Sequence, residues 1–169
     1  IQEQSAQVSQ MTLYGYLKTR MGAKHVIMFE NKNFLNSINI AKWNIYSASL
    51  IDCTFFCFSF LYKHRNFKKT EEANRVFFEI LNTEKVNGMD LDAFENATKE
   101  FNKRYQQINW ENHFNSNPFE FSSNELYVWS PIADELKKLD KKIVINSMVL
   151  KWNNVQNDFK KLTSKFNLE

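Results

Sequence analysis

The sequence predicts an all-α fold: a bundle of five to seven helices around a central apolar helix at about 38–66, closed by a long C-terminal helix. Three observations predict it. Only 3 Gly and 2 Pro occur in 169 residues, too few for the hairpin turns and positive-φ positions of a strand-rich chain. Apolar residues recur at the i, i+3, i+4, i+7 spacing of an amphipathic helix through most of the chain. One stretch, Trp43–Tyr62 (WNIYSASLIDCTFFCFSFLY), is apolar over most of its circumference and needs covering on most sides. A hydrophobic content of 43% against 24% charged residues belongs to a folded chain, and the length to about one domain.

Residues 1–10 (IQEQSAQVSQ) read as a polar extension, with 11–169 as a single helical domain. Leu13, Tyr14, Leu17 and Met21 then share one helical face, and Gly22 is a natural stop. Ser37 is the expected cap of the central helix. Within that helix Lys42, Ser49, Asp52, Ser59 and Lys63 follow one another at spacings of seven, three, seven and four, a narrow polar stripe on an otherwise apolar cylinder. Twenty residues between Lys42 and Lys63 make about 30 Å of helix, enough to cross a bilayer. Asp52 at mid-bilayer would cost about 2.5–3.5 kcal/mol. A buried core helix is therefore the favoured reading and a single span at 43–62 the alternative. Asp52 is expected to meet water or a polar partner. The run Lys63–Lys69 (KHRNFKK) suits a helix C-terminus, where cations answer the exposed carbonyls.

Two further helices follow as a hairpin, capped by Thr70 and Asp90 and separated at Asn87-Gly88. Their apolar faces are Ala73, Val76, Phe77, Ile80 and Leu81 on the first, and Phe94, Ala97, Phe101, Tyr105 and Ile108 on the second. The acidic residues near the turn fail the calcium-loop pattern, since Thr83 and Phe94 fall where its first and last oxygen ligands belong. Periodicity then vanishes over 109–130, which reads as an aromatic-rich irregular loop sealing the core. Ser130-Pro131 reads as a helix start, and 131–166 as the long C-terminal helix. On it Ile145, Met148, Trp152, Val155, Phe159, Leu162 and Phe166 alternate at three and four residues, a coiled-coil seam. Leu136, Leu139 and Ile143 sit in a different register, which implies a bend or a change of packing partner.

Chemistry is sparse. No phosphate loop, dinucleotide fingerprint, nucleophile elbow or zinc-protease motif occurs. Cys53 and Cys57 lie one turn apart inside the apolar run, where cysteine is ordinarily a small core residue, so no metal or other cofactor is expected. A net charge of +3 is too mild and too dispersed for a nucleic-acid surface. The one constellation worth weighing is Trp110, Glu111 and His113, a candidate pocket in the aromatic loop for a small helical enzyme or ligand-binding protein. The favoured function is non-catalytic: an accessory or assembly subunit of a larger complex, with other protein subunits as partners, a membrane surface as a further contact, and no nucleic acid. The seam from Ile145 to Phe166 is the expected partner-binding face. Two cysteines without a disulfide framework suit a reducing intracellular compartment, and a first residue other than Met adds the expectation of a processed, mitochondrial protein.

Overall fold

The computed structural model describes residues 1–165. Six helices of ten residues or more build the fold. They are α1 (Gln2–Met21), α3 (Lys32–His64), α4 (Glu71–Val86), α5 (Leu91–Tyr105), α6 (Glu120–Trp129) and α7 (Asp134–Lys165). A four-residue helix, α2 (His25–Met28), and two single 3-10 turns, Gly22–Lys24 and His113–Asn115, fill the connections. Among the described residues there is no strand.

The central helix is longer than its apolar run. It starts at Lys32, not near Ile38, because the Asn31 side chain accepts from the amides of Asn33 and Phe34 at 3.0 and 3.1 Å. Ser37 lies inside the helix, its hydroxyl turned back to the Asn33 carbonyl. The helix stops at His64, where Asn66 turns left-handed at φ 51° and the Phe67 amide closes onto the Leu61 carbonyl. Of the cations beyond it, Lys68 answers the helix end, donating to the Tyr62 carbonyl and lying 3.6 Å from that ring, whereas Arg65 reaches across to the Thr163 carbonyl. At 33 residues α3 is about 50 Å long, and α1, α4, α5, α6 and the 113–115 turn all pack on it. Of its most apolar 18-residue window, 83% is covered by the rest of the chain, the burial of a core helix.

Two hydrophobic clusters divide along α3. One joins it to α1, α6 and α7 through Leu13, Leu17, Phe56, Leu126, Met148 and Trp152. The other joins it to the α4–α5 hairpin through Leu50, Phe55, Phe77, Leu81 and Phe101. Phe77 stacks on Phe101 at 3.9 Å, and Phe55 lies 5.0 Å from Phe101 on α5. The hairpin turns where expected, at Gly88 with φ 97°, although neither Thr70 nor Asp90 gives its helix a side-chain cap.

Three further boundaries differ from the sequence reading. Residues 1–10 are not an extension but the first half of α1, burying Ser5, Val8 and Ser9 against the core. The 109–130 segment is not wholly irregular, since α6 occupies ten of its residues and buries Ser122, Ser123 and Leu126. Both helices present small serines to a neighbour, so their packing faces look polar in sequence. Helix α7 begins at Asp134, because Ser130 ends α6, its hydroxyl returning to the Leu126 carbonyl at 2.5 Å.

Candidate functional site

The middle of the polar stripe of α3, Ser49, Asp52 and Ser59, faces inward and builds a node, while its ends Lys42 and Lys63 reach the surface. Asp52 is fully buried, with its Oδ1 2.8 Å from Arg104 Nη1 of α5 and its Oδ2 accepting the Ser122 amide at 2.7 Å. Ser122 lies in the first turn of α6, whose N-cap residue Phe119 has no side-chain acceptor. Asp52 therefore supplies from α3 the capping oxygen that α6 lacks in its own sequence. Burial pushes the Asp52 carboxyl above its usual range, against the pull of Arg104 and the Ser122 amide. Seven residues on, Ser59 donates to the Trp110 carbonyl at 2.8 Å and accepts from the Phe114 amide at 3.0 Å. Two stripe residues thus pin the whole 110–122 segment onto α3. The expected polar partner for Asp52 is Arg104.

Beside this node is a polar cleft of about 250 Å³ lined by Phe55, Arg104, Asn109, His113 and Ser116. Of the three residues expected to form a pocket, His113 lines it. Trp110 packs edge-on against Phe55 and Tyr105, and Glu111 points outward to Lys63 at 3.9 Å. His113 is held down to about 4, by burial first and then by the Arg104 charge. Its Nε2 is buried without a hydrogen-bond partner. A histidine so depressed is neutral at pH 7 and a weak base, and the hydroxyl that shares its cleft, that of Ser116, donates to the His113 carbonyl at 3.1 Å and not to the ring. Among the described residues, no three His, Cys, Asp or Glu side chains gather as a metal-binding group.

The seam on α7 has a different fate from the one its spacing suggests. Met148 and Trp152 are fully buried in this chain's own core, with Trp152 stacked 4.2 Å from Phe119. Phe159 reaches Phe56 and Phe60, each at 5.7 Å. Val144, not Ile145, continues the buried line toward the N-terminus, leaving Ile145 half-buried. Leu162 is exposed at the far end, and Phe166 lies outside the described residues. The heptad pattern is thus spent largely on α1, α3 and α6.

The outward face of α7 carries the apolar set in the other register. Leu139, Ile143 and Leu150 are 77%, 71% and 64% exposed. At 100° per residue their directions fall opposite Met148 and Val144, so they form a ridge turned away from the core. Lys138, Lys142 and Lys151 are exposed around them, whereas the Lys141 ammonium lies 5.4 Å from the Tyr127 ring of α6. Along one side of this ridge, a groove of about 370 Å³ runs between α1 and α7. Thr12, Tyr16 and Val144 are its buried floor and Met11 and Ile143 its exposed rims. Gly15 also lines it, and a Cβ built there would meet nothing within 4 Å. The outer α7 face was visible in sequence only as the register break between Ile143 and Ile145.

Neither a family model, nor a curated protein, nor a solved structure matches this chain.

Proposed function

We propose that this protein is a non-catalytic accessory or assembly subunit that docks a helix of another protein through the outer face of α7 and the adjoining α1–α7 groove. The observation that carries the reading is the ridge of Leu139, Ile143 and Leu150, exposed on a helix that already buries Val144, Met148 and Trp152 of its opposite face in this chain's own core. Isolated exposed apolar residues are ordinary, but three on one face, at i, i+4 and i+11 beside an open groove, make the kind of apolar stripe that helix-in-groove recognition uses. The lysines at positions 138, 142 and 151 make an acidic amphipathic helix the complementary partner. They also oppose pairing of two copies through this face, since like charges would be brought together. The polar node around Asp52 supports the non-catalytic part, because its charged groups are consumed in holding α5 and α6 to α3.

One observation favours a second reading. Leucine and isoleucine flanked by lysines on a surface helix are what an anionic lipid surface attracts, so contact with a membrane remains part of the proposal. The double substitution Leu139→Asp with Ile143→Asp separates the two. Both side chains are exposed, so the fold is retained by circular dichroism. Loss of co-purifying subunits without change in binding to phosphatidylserine vesicles supports the subunit reading. Retention of those subunits with loss of vesicle binding supports the lipid surface instead.

A further inference from the structure

Arg104 sits in the last turn of α5 and lines the polar cleft beside the Asp52 node. Its guanidinium lies over the Phe121 ring at 4.7 Å and over the Phe55 ring at 5.4 Å, and Asp52 Oδ1 holds its Nη1 at 2.8 Å. Two rings and one buried carboxylate thus fix the orientation of the group. An arginine carries five N–H donors in a planar fork. Among the described residues, Asp52 is the one acceptor that engages them, and it takes a single corner of the fork. The side chain stays part-exposed, so the cleft has access to what Asp52 leaves unused.

The rest of the lining supplies further donors and no carboxylate. Gln107 and Asn109 present side-chain amides there. The Asn109 Oδ1 is taken by the Glu111 amide at 3.1 Å, which leaves its NH2 group as the unengaged part. Glu111 itself turns away to Lys63. The last carbonyls of α5 are also answered, since Asn102 and Arg104 accept from the Gln106 and Gln107 amides.

The geometry points to a binding site for a small oxyanion, a carboxylate or phosphate group, held by the Arg104 guanidinium with the side-chain amides of Gln107 and Asn109 beside it. Charge and donor pattern select that ligand. Arg104 is the one charged side chain in the lining at pH 7, because His113 is neutral there. Asp52 does not cancel the arginine at this wall. Its second oxygen is spent on the Ser122 amide, and the Arg104 charge still acts on His113, lowering it further after burial. A carboxylate or phosphate is acceptor-only toward such a fork and can take two of its N–H groups at once, the strongest pairing open to arginine. A cation would meet the guanidinium charge, and an alcohol would bring a donor where donors already abound. The site binds and does not turn over its ligand, since the one hydroxyl in the lining, that of Ser116, is bonded to the His113 carbonyl. No residue of α7 lines this cleft, so the inference stands apart from the docking face.

NMR of the full, 15N-labelled chain tests it. At pH 6.5 and constant ionic strength the protein is titrated separately with sodium acetate, sodium phosphate and sodium chloride. The Arg104 Nε–H and His113 ring resonances report occupancy. A saturable shift of both with acetate or phosphate, absent with chloride, is the expected result. Saturation by one of the two alone assigns the site to carboxylates or to phosphoryl groups. Gln107→Glu brings a carboxylate of the chain's own to the cleft from an exposed position. It is expected to weaken binding at least about tenfold with helicity unchanged. Arg104→Met is expected to abolish binding; because it also strands Asp52, Gln107→Glu carries the test alone if that chain does not fold. No saturable shift with either anion, an equal response to chloride, or an unchanged midpoint in either folded variant would overturn the site.

Discussion

Replacing Asp52 by alanine probes the polar node most sharply. The carboxylate holds two groups at once, the Arg104 guanidinium at 2.8 Å and the Ser122 amide at 2.7 Å, and is itself fully buried. Removing one member of a buried ion pair costs about 3–5 kcal/mol, because the other charge is stranded. Arg104 retains about a fifth of its side-chain exposure and can reach water, which draws the ion-pair part toward the lower end. The lost cap of α6 adds about 1 kcal/mol. The sum is about 4 kcal/mol, and at about 2–4 °C per kcal/mol for a chain of this size the melting temperature should fall by about 8–16 °C. Urea unfolding followed by circular dichroism measures it. Asp52→Asn retains an acceptor for Ser122 and should lose less. Arg104→Met leaves the carboxyl buried with only the amide, raising its pKa further in the folded state. A group raised on folding contributes stability that is present below its unfolded pKa and lost as pH rises through the folded one. The Arg104→Met deficit should therefore be smallest near pH 4 and grow toward pH 7. A cost below 1 kcal/mol for Asp52→Ala, or a pH-independent deficit in Arg104→Met, would refute the account of this node.

Three further outcomes follow from the same structure. His113 is lowered from 6.5 to about 4 by burial and by Arg104, so the unfolded chain takes up a proton that the folded chain refuses. Stability should fall as pH drops from 6.5 toward 4, by about 2–3 kcal/mol after allowing for its partial exposure. His113→Gln should flatten that part of the urea-stability profile, and imidazole NMR should place the titration well below 6. Gly15→Ala adds a methyl group in open space within α1, and should stabilise by about 0.5–1 kcal/mol in thermal melts. Trp152→Ala empties a fully buried site against Phe119 and should cost about 3–5 kcal/mol in urea unfolding, whereas a partner-facing tryptophan would cost little in the isolated chain.

The all-α class and the two long helices were legible because strong 3.6-residue periodicity and scarce Gly and Pro point the same way. Asp52 was legible as a residue needing a polar partner, but that the partner is Arg104 was not, since 52 residues separate them in sequence. What stayed hidden has a common cause. Ser5 and Ser9 on α1, Ser49 and Ser59 on α3, and Ser122 and Ser123 on α6 are all buried at or near close helix contacts. All but the Ser49 hydroxyl, which is buried without a hydrogen-bond partner, turn back to a backbone carbonyl or across to a neighbour, as Ser5 does toward Ile1 and the Ser49 carbonyl. A reading by hydrophobicity scores these residues as solvent-facing, and so α1 looked like an extension and α6 like a loop. The α7 seam misled in the opposite sense. A regular three-and-four spacing shows that a helix buries a face, but it does not say whether the covering surface belongs to the same chain. The register break at Ile143 was the better signal, since it marked the point where apolar residues leave the core side for the outside.

Site-specific photo-crosslinking tests the central claim most directly. A benzophenone side chain at position 139 or 143, in the full chain expressed in its native cells, samples whatever lies against the outer face of α7. The account predicts crosslinks from both positions into one acidic amphipathic helix of another protein, mapped by mass spectrometry, and their loss when Gly15→Trp fills the groove in a chain that still folds. Crosslinks confined to lipid or to a second copy of this chain, or none from either position, would contradict it.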